Sequence, residues 1–72
     1  MKLEYDPKHD VMNIEFIGDA VIDESVELDG IIIDYTKDKE VASVEILVLK
    51  KRSKGDPFET INFVLMKDSA EV

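Results

Sequence analysis

The sequence predicts a mainly β domain bordering on α+β, an antiparallel meander of about six short strands with at most one short helix after the fifth. Three observations carry this. Apolar runs rich in Val and Ile show a period of two, turn-forming residues interrupt them about every eight to twelve residues, and stretches with helical periodicity are scarce. With 72 residues the chain reads as a single domain, residues 1–72, whose last residues, 67–72, form a frayed tail.

Each element follows from alternation and punctuation. Leu3 and Tyr5 share one face of a first strand. Met12, Ile14 and Phe16 share one face of a second, with Asn13 and Glu15 opposite. Between them YDPKHD, residues 5–10, reads as a turn: Asp6 can bond the backbone two residues on, Pro7 presets φ, and Asp10 closes the loop. Ile17-Gly18-Asp19 supplies the next turn. Ala20–Leu28 then reads as a third strand, with Asp23, Ser25 and Glu27 on one face and Ile22, Glu24, Val26 and Leu28 on the other. Glu24 interrupts the apolar face, which a bulge, an edge position or a salt bridge to a lysine would each accommodate.

Asp29-Gly30 is the strongest hairpin signal, since tight two-residue loops need positive φ. Ile31–Tyr35 is nearly continuous in apolar residues, as in a central strand, and leaves Asp34 in need of a partner or a solvent path. Residues 36–40 are a polar loop. A fifth strand, Val41–Leu49, places Val44, Ile46 and Val48 on one face. Lys50–Asp56 reads as a loop with room for one helical turn. Residues 56–66 carry two signals: Asp56, Pro57 and Glu59 fit a capping box, while Ile61, Phe63 and Leu65 alternate with Thr60, Asn62 and Val64. The alternation favours a sixth strand.

Composition excludes several classes of function. There is no cysteine and one histidine, so disulfides, thiolate catalysis and cysteine-based zinc sites are out. No apolar run approaches a membrane span and the N-terminus lacks a signal-peptide h-region, which predicts a soluble, cytoplasmic protein. The formal net charge is −8, concentrated in residues 1–49, which hold thirteen Asp/Glu and four Lys. Such a field repels phosphate backbones, so nucleic acid is not an expected partner. The glycines are isolated, forming neither GxGxxG nor a P-loop.

In DGIIIDYTKDKEVASVEIL, residues 29–47, together with the YDPKHD opening, the chain resembles a small prokaryotic family, domain of unknown function 2283. The match runs from residue 2 to residue 47. The resemblance implies a compact, mostly antiparallel β fold with at most a short helix and no established activity. It also brings an association with toxin-like neighbours, hence an antitoxin-like role. Lys39 stands where the family usually has a loop glycine, which questions a positive-φ turn there. Ser43 replaces a glycine of the fifth strand, and VLKKRSKGD replaces the family's helical start.

Two site readings compete at Asp6, His9 and Asp10. Two carboxylates and an imidazole are ligand types for a divalent metal, but three candidates without a supporting shell favour the turn. Paired carboxylates for acid-base catalysis would need a concave pocket. No cofactor is called for, and the expectation is a non-enzymatic protein. Asp23, Glu27, Asp29 and Asp34 form a candidate acidic stripe for contact with a basic partner, a toxin-like protein among them. The alternative is a cation-binding module using loop and strand carboxylates. An uncovered sheet face and open strand edges point further to a homodimer.

Overall fold

The computed structural model describes residues 1–54 and 63–67. Five strands form one sheet: β1 Lys2–Asp6, β2 Val11–Glu15, β3 Glu24–Leu28, β4 Ile31–Tyr35 and β5 Val41–Leu47, followed by a short helix, α1 Leu49–Ser53. The strand order is β1-β2-β5-β4-β3, and every neighbouring pair is antiparallel. The mainly β, antiparallel class predicted from alternation is the class observed, with a single short helix, after the fifth strand, among the described residues.

The order adds something that alternation could not supply. β1-β2 is a hairpin and β3-β4-β5 a meander, but β2 lies beside β5, so residues 16–23 must cross one end of the sheet to reach the far edge. This is a Greek-key connection. A bulge anchors it. Tyr35 faces Val41 and Asp34 faces Ser43, leaving Ala42 as the extra residue. The Ala42 carbonyl accepts hydrogen bonds from the backbone N–H groups of Phe16 at 2.8 Å and Ile17 at 3.1 Å. At the far side the Asp23 N–H donates to the Tyr35 carbonyl at 2.8 Å. Ala42 is 1% exposed, the one large departure from an otherwise open sheet.

Short polar residues in the left-handed region set the turns. Asp29 (φ 53°) and Gly30 (φ 75°) connect β3 to β4, and Leu28 pairs directly with Ile31. Two positive φ values in a two-residue loop are what a type I′ turn requires. The first hairpin has a four-residue loop, residues 7–10, closed by Asp10 at φ 56°. In the loop from β4 to β5 the Thr36 carbonyl accepts the Lys39 N–H at 3.0 Å, and the Thr36 hydroxyl accepts the Glu40 N–H at 3.2 Å.

Period-two alternation divides the sheet into two unlike faces. Through the register, Leu28, Ile31, Ile46, Met12 and Tyr5 form one row across the strands, and Val26, Ile33, Val44, Ile14 and Leu3 the next. The opposite face carries Glu27, Ile32, Glu45, Asn13 and Glu4 in one row and Ser25, Asp34, Ser43, Glu15 and Lys2 in another. These two rows of the first face are apolar throughout, with Glu24 beside Tyr35 at its end; the second face is dominated by carboxylates. The five-residue helix does not pack extensively on any strand, and the apolar face stays open: Leu28 is 77%, Leu3 54% and Val26 44% exposed.

Several expected boundaries are corrected. The third strand starts at Glu24, not Ala20, because residues 20–23 complete the crossing to the edge. The fifth ends at Leu47, not Leu49, since Val48 turns left-handed (φ 53°, ψ 50°) and starts α1. Glu24 finds two of its three expected accommodations, an edge strand and an ion pair with Lys39 at 3.5 Å. Lys39 adopts φ 69°, so the positive-φ turn survives without glycine. Of the segment expected to form a sixth strand, 56–62 lies outside the described residues, while 63–66 has no regular structure and stands exposed. The expected tail lies outside the described residues except Lys67.

Candidate functional site

The first hairpin divides its three candidate residues between two tasks. Asp6 ends β1, and its Oδ1 accepts the backbone N–H groups of Lys8 at 2.9 Å and His9 at 3.4 Å, which is an Asx turn. Its Oδ2 lies 2.7 Å from His9 Nδ1. These contacts hold the Asp6 carboxyl below its ordinary value of 3.8, the His9 side-chain hydrogen bond first among the causes.

Asp10 turns elsewhere. Its Oδ1 accepts the Tyr5 hydroxyl at 2.5 Å. Both carboxylate oxygens lie 3.2 Å from the backbone N of Lys50, which donates to them, and the Asp10 carbonyl accepts the Leu49 N–H at 3.2 Å. Val48, at the N-cap position, offers no side-chain cap. The unsatisfied N–H groups of the first helical turn are therefore served by an aspartate from another hairpin. Arg52 fastens the other side: its Nε donates to the Leu47 carbonyl at 3.3 Å, and its Nη2 lies 3.8 Å from Asp29 Oδ2.

Asp34, the carboxylate inside the most apolar strand, is bracketed by its two register partners. Ser25 on β3 donates to Oδ1 at 2.5 Å and Ser43 on β5 to Oδ2 at 2.7 Å. The four residues of the acidic stripe are thus distributed over three settings. Glu27 and Asp34 share the polar face, Asp29 occupies the type I′ turn beside Arg52, and Asp23 precedes β3 at the end of the crossing.

The polar face joins these into a broader field than a stripe. Glu4, Glu15, Glu27, Asp34 and Glu45 project from five different strands, with Lys2 at the margin. Across β1, β2 and β5 it dips into a shallow depression of about 380 Å³, lined by Glu4, Asp6, His9, Asn13 and Glu45 among others. Among the described residues no three His, Cys, Asp or Glu side chains are grouped to hold a metal ion, and no helix is long and apolar enough to cross a membrane.

A family model described as "Protein of unknown function (DUF2283)" matches residues 2–49, two thirds of the 72 residues. The chain belongs to the DUF2283 family. In this DUF2283 domain the matched span takes in all five strands and ends on the first residue of α1. No curated protein and no solved structure matches it.

The residues of the DUF2283 domain that sequence reasoning missed are those whose partners lie on a different strand, turn or helix. Tyr5, Ser25, Ser43 and Arg52 all bind carboxylates. A signal existed for the serines: Ser25, Asp34 and Ser43 sit at equal nine-residue intervals, the spacing that aligns residues across successive hairpins. No such local signal links Asp10 to Lys50.

Proposed function

We propose that this domain is a non-enzymatic protein-contact module that works through the open apolar face of its sheet. The observation that carries the reading is the contiguity of that face. Ten apolar or aromatic side chains lie in two rows across five strands, with Leu28, Leu3 and Val26 all substantially exposed. Uncovered apolar area of this extent marks contact surfaces, because burying it releases roughly 25 cal/mol per Å². Stable domains place a second layer against such a face.

The carboxylate face favours a second reading, an antitoxin-like role towards a basic protein. Five strands each contribute an acidic side chain, and a one-signed field steers and selects an oppositely charged partner. The two readings are compatible, since the faces are back to back.

Site-specific photo-crosslinking in cells separates them. A photoreactive amino acid replaces Val26 on the apolar face or Glu27 on the polar one, adjacent residues pointing to opposite sides. The contact-module reading expects protein adducts from position 26. Adducts from 27 alone would transfer the function to the acidic face, and none from either would remove both readings.

A further inference from the structure

We infer that the occupant of the apolar face is a second copy of this chain, stacked face to face so that the helix end of each copy lies over the crossing-loop end of the other. The inference rests on the reading of the apolar face as a contact surface and names its partner and geometry.

Area argues first. Five strands about 4.8 Å apart and five residues long at about 3.4 Å each give a flat footprint of roughly 400 Å². Phe63–Met66 stand away from the sheet, each at least 74% exposed. A second sheet matches the face in shape and size. Two flat footprints total roughly 800 Å², a lower bound because side chains corrugate the surface, against the roughly 1,200 Å² at which standard stable interfaces begin. Pairing through the open edges of β1 or β3 would leave the apolar face in water. Stacking buries it in a two-layer sandwich and turns both carboxylate faces outward.

Charge then selects the orientation. The helix end, with the turns at 7–10 and 29–30, carries five basic against two acidic side chains, and Lys51, Arg52 and Lys54 lead it. The opposite end, with the crossing at 16–23 and the loop at 36–40, carries four acidic against two basic, namely Asp19, Asp23, Asp38 and Glu40 against Lys37 and Lys39. A two-fold axis along the strands would set like ends together. An axis lying in the interface but across the strands sets the basic end of each copy on the acidic end of the other, twice over.

Sedimentation equilibrium on the full chain tests the stack. Wild type is expected to dimerise with micromolar affinity, and Leu28→Lys, altering a side chain exposed in the single copy, to weaken this at least about 10-fold. Lys51→Glu/Lys54→Glu and Asp38→Lys/Glu40→Lys lie outside the sheet and leave folding intact. Each alone should dimerise more weakly than wild type, and an equimolar mixture should regain wild-type affinity. Monomer up to about 1 mM overturns the second copy while leaving another partner for the face. Variants that alone match wild type, with a mixture tighter than wild type, would reverse the orientation.

Discussion

The carboxylate of Asp10 caps the backbone N–H of Lys50, forty residues further along the chain. One side chain thereby joins the first hairpin, through Tyr5, to the only helix among the described residues. A five-residue helix has little stability of its own, because nucleation costs more than so few hydrogen bonds return. Its existence depends on this cap and on the Arg52 contacts at the other side.

Asp10→Ala removes the cap and the Tyr5 partner, and places alanine at φ 56°, a region that costs L-residues about 1 kcal/mol or more. The expected loss is about 2 kcal/mol in urea unfolding. Asp10→Asn should lose less, since asparagine tolerates the left-handed region and its amide oxygen still accepts. Amide exchange at Lys50 reports the cap directly. It should accelerate in the alanine variant beyond any change at Ile33, and equal acceleration at both would point to global destabilisation instead.

Gly30 is the second turn position on which the register rests. At φ 75° a β-branched side chain is strained, and a Cβ there would stand 2.9 Å from Arg52 Nη2. The guanidinium is flexible and can withdraw, so backbone strain dominates. Gly30→Val should cost about 1–3 kcal/mol, with Gly30→Asn costing less. A denaturation midpoint unchanged in the valine variant would refute the type I′ assignment.

These two positions differ in how far they are legible from sequence. Asp29-Gly30 announces itself, because its chemistry is local and flanking alternation fixes the pairing. Strand existence is legible for the same reason at β2 and β4, although Phe16, which continues the alternation of Met12 and Ile14, lies just beyond the end of β2 at Glu15. The neighbour relation of β2 and β5 is not legible, since antiparallel alternation is identical whichever strand lies alongside; it is decided by the bulge at Ala42, which catches the crossing chain. The limits of β3 shifted because Ile22 keeps the alternation although its backbone has left the ladder. Asp10 looked like a loop-closing residue and a metal candidate, and its bond to Lys50 depends on tertiary approach that no local pattern encodes.

Asp34 gives a graded test of the serine bracket. Ser43 is half-buried on the central β5, whereas Ser25 lies on the exposed edge β3, where water replaces a lost hydroxyl. Ser43→Ala should therefore cost about 1 kcal/mol, and Ser25→Ala less than about half of that. Equal costs by urea unfolding would mean that water serves both oxygens alike.

The Asp6–His9 pair makes a pH prediction with a definite sign. The folded-state Asp6 carboxyl is held below 3.8, so its contribution is present above the unfolded value and is lost as pH falls through the lowered folded one. The affected window lies below about pH 4. Carboxyl carbon shifts followed by NMR should show Asp6 titrating below the usual aspartate range in wild type. In His9→Ala it should rise towards that range, because the largest cause of the depression has gone. An unchanged titration would assign the shift to the backbone donors of Lys8 and His9.

Val48 links β5 to α1 at φ 53° and ψ 50°, a conformation in which a β-branched side chain is an outlier. The side chain is half exposed, so burial returns little of the cost, and the strain is the consequence of turning directly from strand into helix without a spacer. Asparagine tolerates the same conformation. Val48→Asn should therefore raise stability by about 0.5–1 kcal/mol, less than the full strain because asparagine forgoes the contacts of the buried half. Val48→Ile, with the same branching and more apolar surface, should bring no gain. If isoleucine stabilises and asparagine destabilises, packing rather than backbone geometry governs this junction.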